Sequence, residues 1–409
     1  MSIDAQQSGL GSDSARSHWS DGFWLSFLNR AVDRLQIGRL NLSLPDGSRR
    51  ELAGETQGPS AELKIRSTGG IRRLLAGGDL GFAEAYMDGE VETDDLTALI
   101  ELAIRNESHL SAALQGKMLV RAWHRLRHLM RRNSKRGSRR NIAEHYDLGN
   151  DFYRHWLDET MTYSSAFFED ETVDLSDAQR AKYRRVAELA GLDRDRHVLE
   201  IGCGWGGFAE LAAGDFGCKV TGLTLSREQL AFATERLSRA GLGDRVDFRL
   251  QDYRDCGGQF DGIVSIEMFE AVGEAHWRRY FEVLRDRLSK GGLAVLQVIT
   301  IAEERFAFYR ANADFIQRYV FPGGMLPTKS LMRSLAADVG LTMVSENAFG
   351  LSYARTLKIW NEAFQRAWPQ IRGMGFQDRF KRMWEYYLAY CEAGFRAGTI
   401  DVVHFQLQR

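Results

Sequence analysis

Short apolar runs alternate with amphipathic stretches along the second half of the chain, from about His197 onward. Apolar runs bounded by glycine or aspartate predict buried strands, here at residues 196–202, 218–225, 245–252, 260–266 and 291–301. Residues 206–216 and 227–241 have helical periodicity, and Ser226 stands where a helix cap is expected. Strands that alternate with helices predict an α/β fold with a mainly parallel sheet, whose ligands bind beyond the carboxyl ends of the strands.

The first part of the chain is organised differently. Residues 1–20 are rich in serine, glycine and glutamine and are predicted to form a disordered tail. The next segment, 21–130, contains an amphipathic helix pattern over 23–35 and strand patterns at 40–44 and 62–67. These patterns predict a smaller, mixed α/β amino-terminal domain, and the basic residues at its carboxyl end suit an association with lipid or membrane.

The sharpest change in composition lies at residues 117–140. Residues 121–140 contain nine arginines and lysines and no acid. Apolar residues recur at helical spacing at Leu119, Ala122, Trp123, Leu126, Leu129 and Met130. A basic helix with such a stripe suits the surface of an anionic bilayer, and packing of the stripe against the protein itself is the alternative. Residues 131–140 are predicted to be a flexible basic linker, followed by a second domain over 141–409.

Composition argues against several classes of protein. The 409-residue chain has a net charge of -1, which gives no general attraction to nucleic acid. Its four cysteines are scattered without a CxxC pair, so no metal site is expected. The first residues are polar, and no apolar run approaches the ~20 residues that span a bilayer. We therefore expect a cytoplasmic protein, peripheral on the inner face of the membrane.

A glycine-rich turn follows the first strand of the second domain. Gly202, Gly204 and Gly207 match GxGxxG, a pattern of dinucleotide sites that is weak when it stands alone. A nicotinamide cofactor would call for an acid at the end of the second strand, and residues 224–226 contain none. Glu200 instead completes an acid-x-Gly-x-Gly-x-Gly pattern, which favours S-adenosylmethionine. A turn that serves only the fold is the alternative.

Several longer motifs occur in order over most of the chain. They are HYDLGNDFY (145–153), MTYSSAFF (161–168), VLEIGCGWGGFA (198–209), GLTLSREQ (222–229), LQDYRD (250–255), FEAVG (269–273), YVFPGGMLP (319–327), SYARTLKIW (352–360) and FKRMWEYYLAYC (380–391). With these motifs the sequence resembles the cyclopropane-fatty-acyl-phospholipid synthase family, which includes the mycolic acid cyclopropane synthases. Residues 74–96 also look like the amino-terminal domain of its phospholipid-acting members. The resemblance implies a Rossmann-like class I methyltransferase domain with a mainly parallel seven-stranded sheet.

The resemblance also implies a set of contacts to S-adenosylmethionine. Tyr163 and Ser164 would meet its methionine part, and Glu200 would lie near the cationic end of that part. The backbone cradle would consist of Gly202, Gly204 and Gly206. The ribose and the adenine would lie against Thr224, Leu225, Gln229, Gln251, Asp252 and Tyr253. For each residue taken singly, ordinary packing at a strand end is the alternative.

The implied reaction adds a one-carbon unit to the double bond of an unsaturated phospholipid acyl chain. Attack by an alkene leaves a carbocation, which aromatic faces can stabilise before a base removes a proton. The resemblance implies that this base is a bicarbonate ion held by Glu270, Tyr353 and the backbone of Ile299. Ser165 and Gln297 stand where the family has cysteine and histidine, and they would complete the anion site through hydrogen bonds.

These replacements, with Ala271 in place of a further histidine, leave the product open. Proton loss from the transferred methyl gives a cyclopropane if the ring closes and an exocyclic methylene if it does not, whereas loss from a chain carbon gives a methylated alkene. A methylene product would leave room for a reductase partner, and relatives with the amino-terminal domain imply a homodimer. A small-molecule methyltransferase on the same fold and a catalytically silent lipid-binding regulator are the alternative functions.

Overall fold

The computed structural model describes residues 33–109 and 148–409. The predicted tail and most of the predicted helix over 23–35 lie outside these residues. The basic segment 117–140, which includes the predicted linker, also lies outside them.

The chain divides into two compact units, of which the first comprises residues 1–120 with 382–386. Its sheet has the order β2-β1-β3-β4, with β1 (Ile37–Ser43), β2 (Arg49–Ala53), β3 (Thr56–Ile65) and β4 (Val91–Glu92). Helix α1 (Thr68–Met87) lies between β3 and β4 in the chain, and helix α2 (Leu96–Arg105) follows β4. The buried Asn106 accepts hydrogen bonds from the N–H groups of Gln36 and Ile37, and so ties the end of α2 to the start of β1.

The second unit comprises residues 121–381 with 387–409 and contains a seven-stranded sheet. Its strands are β5 (His197–Ile201), β6 (Lys219–Thr224), β7 (Val246–Leu250), β8 (Phe260–Ile266), β9 (Leu288–Ile301), β10 (Thr342–Ala348) and β11 (Ile400–Gln408). They lie in the order β10-β11-β9-β8-β5-β6-β7. The pairs from β9 to β7 are parallel, whereas β11 is antiparallel to both of its neighbours. The predicted mainly parallel seven-stranded sheet is confirmed.

Helices cover both faces of this sheet, because its strands are apolar on both sides. Val198 packs in one hydrophobic cluster, and Leu199 and Ile201 pack in the other, as expected for side chains that alternate along a strand. The helices are α3 (Gly149–Arg154), α4 (Leu175–Leu189), α5 (Gly207–Gly214), α6 (Arg227–Arg239), α7 (Trp277–Arg287), α8 (Glu303–Ala311), α9 (Lys329–Asp338), α10 (Gly350–Gly373) and α11 (Asp378–Arg396). Ser226 caps α6 as predicted, since its side chain accepts a hydrogen bond from the Gln229 N–H. Within the described ranges, no helix combines the length and apolar character needed to cross a membrane.

The carboxyl ends of β5 to β8 meet at one edge of the sheet because these strands are parallel. Residues 202–207, 224–226, 251–253 and 267–270 follow those ends. The fold therefore gathers most of the predicted cofactor and catalytic residues at this edge.

Candidate active site

The turn between β5 and α5 has the backbone of a ligand cradle. Gly202, Gly204 and Gly206 have φ values of +89°, +52° and +84°, a region that favours glycine. The N–H groups of Gly202 and Cys203 both donate to the Leu223 carbonyl, at 3.0 and 2.9 Å, and hold the turn against β6. A Cβ atom at Gly204 would meet no atom within 4 Å, so this position faces space that a ligand can enter.

Glu200 is a buried carboxylate near the end of β5. Its Oε2 atom has no hydrogen-bond partner among the described residues. Burial raises the pKa of Glu200 to about 8, against the charges of Lys182 and Arg236. A buried acceptor without a partner is costly unless a ligand satisfies it. S-Adenosylmethionine carries positive charge on its ammonium and sulfonium groups, so the residue fits the cofactor that the sequence predicts.

Ser164 is held in place by two residues of α4. Its Oγ accepts a hydrogen bond from Lys182 Nζ at 2.7 Å, and its carbonyl accepts one from Gln179 Nε2 at 2.8 Å. Lys182 is fully buried, with Nζ 4.0 Å from the ring centroid of Tyr183. Burial lowers the pKa of Lys182 to about 7, although neighbouring carboxylates oppose the change. The lysine therefore fixes the hydroxyl that is predicted to meet the methionine part of the cofactor.

The residues predicted to bind the ribose lie together at the end of β6. Thr224 Oγ1 donates to Gln229 Oε1 at 2.9 Å and accepts a hydrogen bond from the Ser226 N–H at 3.1 Å. Leu225 lies between them in the chain and is half-buried. The structure thus brings these three predicted residues into one group, with the polar atoms of Thr224 and Gln229 bonded to each other.

The residues predicted to border the adenine follow β7. The Gln251 N–H donates to the Thr224 carbonyl at 3.1 Å, which places Gln251 beside the ribose group. The buried Asp252 carboxylate forms an ion pair with Arg254, with Nη2 to Oδ2 at 2.6 Å. Tyr253 packs edge-on against Tyr280, and burial raises the pKa of Tyr253 to about 12. Asp252 therefore already has a protein partner, whereas the Gln251 side chain bonds only the backbone of its own loop among the described contacts.

Glu267, the residue directly after β8, receives three hydrogen bonds. Its Oε1 accepts from the Ser165 N–H at 2.8 Å and from Gln297 Nε2 at 2.7 Å, and its Oε2 accepts from the Tyr353 hydroxyl at 2.6 Å. Burial raises the pKa of Glu267, while the three donors and the charge of Lys182 oppose the rise. The arrangement is a carboxylate fixed in place inside a largely enclosed site.

Glu270 binds the backbone of β9. Its Oε1 accepts a hydrogen bond from the Ile299 N–H at 2.5 Å, while its buried Oε2 has no partner among the described residues. Burial, together with the charge of Glu267, raises the pKa of Glu270 to about 8. The five residues predicted for the anion site therefore form two groups: Ser165, Gln297 and Tyr353 on Glu267, and Ile299 on Glu270. The Ser165 hydroxyl donates to the Ala166 carbonyl, so Ser165 meets Glu267 through its backbone.

An imidazole supports Gln297 from the neighbouring strand. Gln297 in β9 pairs with His404 in β11, and His404 Nε2 lies 2.8 Å from Gln297 Oε1. His404 is fully buried, and burial lowers its pKa to about 3, so the ring is neutral and can donate to the amide oxygen. This contact turns the amide nitrogen of Gln297 toward Glu267.

Aromatic rings connect the glycine turn to the Glu267 site. Their centroids follow one another at 5.1 Å (Trp205 to Tyr153), 5.4 Å (Tyr153 to Tyr163), 5.3 Å (Tyr163 to Trp360) and 6.2 Å (Trp360 to Tyr353). We call these five residues the aromatic cluster. Tyr353 belongs to the cluster and also donates to Glu267, so the carboxylate adjoins an aromatic environment.

Glu267, Lys182 and His404 are site residues that the sequence analysis missed. Glu267 follows a strand of a parallel sheet, a place where ligand-binding groups collect, and this signal could have identified it. Lys182 shares the buried face of α4 with Ala178 and Val186, and a lysine on such a face is a second usable signal. His404 has no comparable local signal because its partner is 107 positions away in the chain.

The seven-stranded sheet, with an acid near the end of β5 and spaced glycines in the turn that follows, defines the class of protein. It is a methyltransferase that depends on S-adenosylmethionine. The sequence profile of the family described as mycolic acid cyclopropane synthetase matches residues 133–405. The chain belongs to this family, that of the cyclopropane fatty acid synthases, and the resemblance drawn from its motifs is confirmed.

Relatives match most of the chain. The tuberculostearic acid methyltransferase UfaA1 of Mycobacterium tuberculosis is 40% identical over 83% of this chain and 81% of that protein. The cyclopropane-fatty-acyl-phospholipid synthase of Escherichia coli is 37% identical over 84% of this chain and 86% of that protein. The crystal structure of the mycolic acid cyclopropane synthase CmaA1 with SAH and CTAB aligns with a TM-score of 0.62 and 30% identity, over 66% of this chain and 98% of that one.

Proposed function

We propose that this methyltransferase transfers a one-carbon unit to the double bond of an unsaturated phospholipid acyl chain. One observation supports this above the others: the Glu267 carboxylate adjoins the aromatic cluster, which extends to the glycine turn. Addition of an electrophilic methyl group to an alkene leaves a carbocation. Such an intermediate needs aromatic faces and a base within one dry site.

S-Adenosylmethionine, when bound, supplies the electrophilic methyl group. The chain itself has three tasks, of which the first is to hold the poorly nucleophilic double bond in line with that group. The aromatic cluster stabilises the positive charge that develops on the acyl chain, and it offers no atom that would trap the cation readily. An anion then accepts the proton that the cation must lose.

The proton acceptor is an anion held close to Tyr353 and Gln297. The family resemblance implies bicarbonate in this role, and a carboxylate of the chain is the alternative. Ring closure gives a cyclopropane, whereas proton loss without closure gives a methylene or a methylated alkene. A methylene product would require a reductase partner to reach a saturated methyl-branched chain.

The choice of substrate rests on the relatives. The name of the Escherichia coli relative specifies a fatty-acyl-phospholipid, and that of a Pseudomonas putida relative, 34% identical, a probable fatty acid methyltransferase. A phospholipid acyl chain is reached from a membrane surface, so we propose that the protein works at the inner face of an anionic membrane. The homodimer that relatives with the amino-terminal domain imply is part of the same proposal. The basic segment 117–140 supports such binding by its charge, and the net charge of -1 gives no reason to invoke nucleic acid.

Expression in a bacterium that makes monounsaturated phospholipids tests the proposal. We expect lipid mass spectrometry to find acyl chains one CH2 heavier in cells that express the wild-type chain. A Gly204→Val variant is the matched control, since it fills the space in front of the turn and forces a branched residue to φ +52°. Unchanged lipids, although the purified wild-type protein binds S-adenosylmethionine, would contradict the proposal.

Proton NMR of the same lipids identifies the product. Strongly shielded ring protons indicate a cyclopropane, vinylidene signals a methylene, and an added methyl signal on the chain a methylated product. If instead a fraction of small cellular metabolites supports formation of S-adenosylhomocysteine while the lipids stay unchanged, the small-molecule methyltransferase is the better description.

A further inference from the structure

Glu267 occupies the place where the family resemblance implies an external anion. Ser165, Gln297 and Tyr353 belong to the set predicted to hold bicarbonate, and all three donate to this carboxylate at 2.6–2.8 Å. We propose that Glu267 is the resident base of the enzyme and takes the place of a bound bicarbonate ion. The proposal rests on the alkene reaction proposed above.

The other two predicted ligands are also engaged within the protein. The Ile299 N–H donates to Glu270, which leaves this amide occupied. A bicarbonate ion placed here would have to compete for its donors and would face the carboxylates of Glu267 and Glu270. Like charges in an enclosed site disfavour one another's ionised forms. The geometry therefore suits one carboxylate of the chain better than an added anion.

The donors around Glu267 are themselves held in place. His404 orients the Gln297 amide, and the ring of Tyr353 stacks on Phe395 with centroids 4.6 Å apart. The Ser165 donor is a backbone N–H and cannot rotate away. The Glu267 N–H in turn donates to the Gln297 carbonyl at 2.8 Å. A base positioned by such a shell is ready before the substrate arrives.

The backbone at Glu267 points to a specific role for its side chain. Glu267 has a φ of +51°, a left-handed conformation that glycine adopts more easily than glutamate. A residue kept in this region against its preference is a frequent feature of active sites. Glycine would suit the turn better, so we infer that glutamate occurs at this position because the site requires its carboxylate.

The proposed step balances without a further reagent. The π electrons of the alkene would form the bond to the transferred methyl carbon as the methyl–sulfur bond of S-adenosylmethionine breaks. The electron pair of that bond would stay on sulfur, giving S-adenosylhomocysteine, and a cation would remain on the adjacent carbon of the acyl chain. A C–H bond then breaks, and its electron pair closes a ring or forms a double bond. The proton moves to a carboxylate oxygen of Glu267, which must release it to water before the next turnover.

Glu267→Gly is the deciding variant, because glycine suits a φ of +51° and leaves a carboxylate-sized space with three donors. In CO2-free buffer, we expect the wild-type full-length protein to turn over equally fast with and without added bicarbonate. Glu267→Gly should lose about 10²–10⁴-fold in kcat and regain part of it with bicarbonate or formate. Glu267→Gln fills the same space with a neutral amide and should lose activity without rescue.

Glu171→Gly is the matched control, since Glu171 is an exposed carboxylate in a turn and is not part of the proposed site. It should show neither the loss nor the rescue. The proposal is wrong if the wild-type rate falls in CO2-free buffer and returns with bicarbonate. It is equally wrong if Glu267→Gln turns over like the wild type.

A binding measurement separates this proposal from the proposed function. Bicarbonate should raise the thermal unfolding midpoint of Glu267→Gly relative to chloride at equal ionic strength, and should leave that of the wild type unchanged. An equal rise in both proteins would refute a resident base, with no need for a lipid substrate. If no lipid product forms under any condition while the cofactor binds, the alkene reaction itself is wrong.

Discussion

Glu270→Gln is expected to raise stability while it lowers activity. The amide oxygen of glutamine can still accept the Ile299 N–H, so the backbone contact survives the change. The variant removes a carboxylate whose Oε2 is buried without a partner in the described structure. Glu270 interacts electrostatically with Glu267, and an ionised carboxylate there adds to the negative charge that stabilises a cation on the acyl chain. We therefore expect kcat to fall about 100-fold and cofactor affinity to stay the same.

The size of the stability gain follows from the pKa of Glu270, which rises from 4.5 to about 8. A raised pKa in the folded state means that its stabilising contribution is complete below pH 4.5 and is lost as the pH rises toward 8. At pH 7 the carboxyl group is ionised in the unfolded chain but still largely protonated in the folded protein. At about 1.4 kcal/mol for each of the roughly 2.5 pH units above 4.5, this difference lowers the free energy of unfolding by about 3 kcal/mol. Glutamine does not ionise and avoids this cost. Because Glu270 keeps some accessible surface, we expect a gain of about 2–3 kcal/mol at pH 7.

Urea unfolding of both proteins at pH 5 and pH 7 measures this difference, and calorimetry measures the affinity for S-adenosylmethionine. The gain in the free energy of unfolding should be large at pH 7 and fall below about 1 kcal/mol at pH 5. Glu274→Gln is the control, since Glu274 forms a surface ion pair with Arg310. Its replacement should change neither the free energy of unfolding nor the affinity for S-adenosylmethionine by much. A variant that is less stable at pH 7, or that turns over at the wild-type rate, would refute the reasoning.

Two further predictions concern basic residues. Lys182→Met should weaken cofactor binding about tenfold, because the Ser164 hydroxyl loses its buried donor at 2.7 Å. Calorimetry with S-adenosylmethionine would measure the affinity, and an unchanged affinity would argue against a positioning role for Lys182. The pKa of Lys182 is lowered from 10.5 to about 7 in the folded protein. The free energy of unfolding of the wild type should therefore rise between pH 7 and pH 10.5, where the unfolded chain binds the proton more tightly. Urea unfolding of Lys182→Met should lack this rise. Replacement of Arg125, Arg131 and Arg132 by glutamine should weaken binding to anionic vesicles, most visibly at low salt. Sedimentation with vesicles would measure this. Equal binding by the variant and the wild type would favour packing of segment 117–140 against the protein itself.

The α/β architecture could be predicted because its signals are local. Apolar runs ended by glycine or aspartate marked β5 to β8, and Ser226 marked the start of α6. The parallel sheet then followed from the alternation of strands and helices. The glycine turn was also predictable, since positive φ values leave a direct trace in the residue types at 202, 204 and 206.

The grouping of the candidate catalytic residues could not be predicted in the same way. The sequence supplied Ser165, Gln297 and Tyr353 as separate candidates, and the family resemblance suggested a free anion between them. Only the fold placed the Glu267 carboxylate among their donors, because Ser165 lies 102 positions away in the chain and Gln297 lies 30. Contacts across β8, β9 and α10 depend on strand order and helix packing, which no local pattern specifies.

The sequence by itself determined the class of enzyme, the cofactor and the edge of the sheet where the candidate site lies. The sheet edge follows from short-range preferences of glycine, apolar strands and helix caps, whereas the class of enzyme and the cofactor follow from the motif at residues 200–206 and from the family resemblance. The tertiary structure alone decided which polar groups are buried and how they are paired: Lys182 on Ser164, His404 on Gln297, and Glu270 on the backbone of Ile299. Burial and pairing set the charge of each group, and both arise from packing between distant segments of the chain.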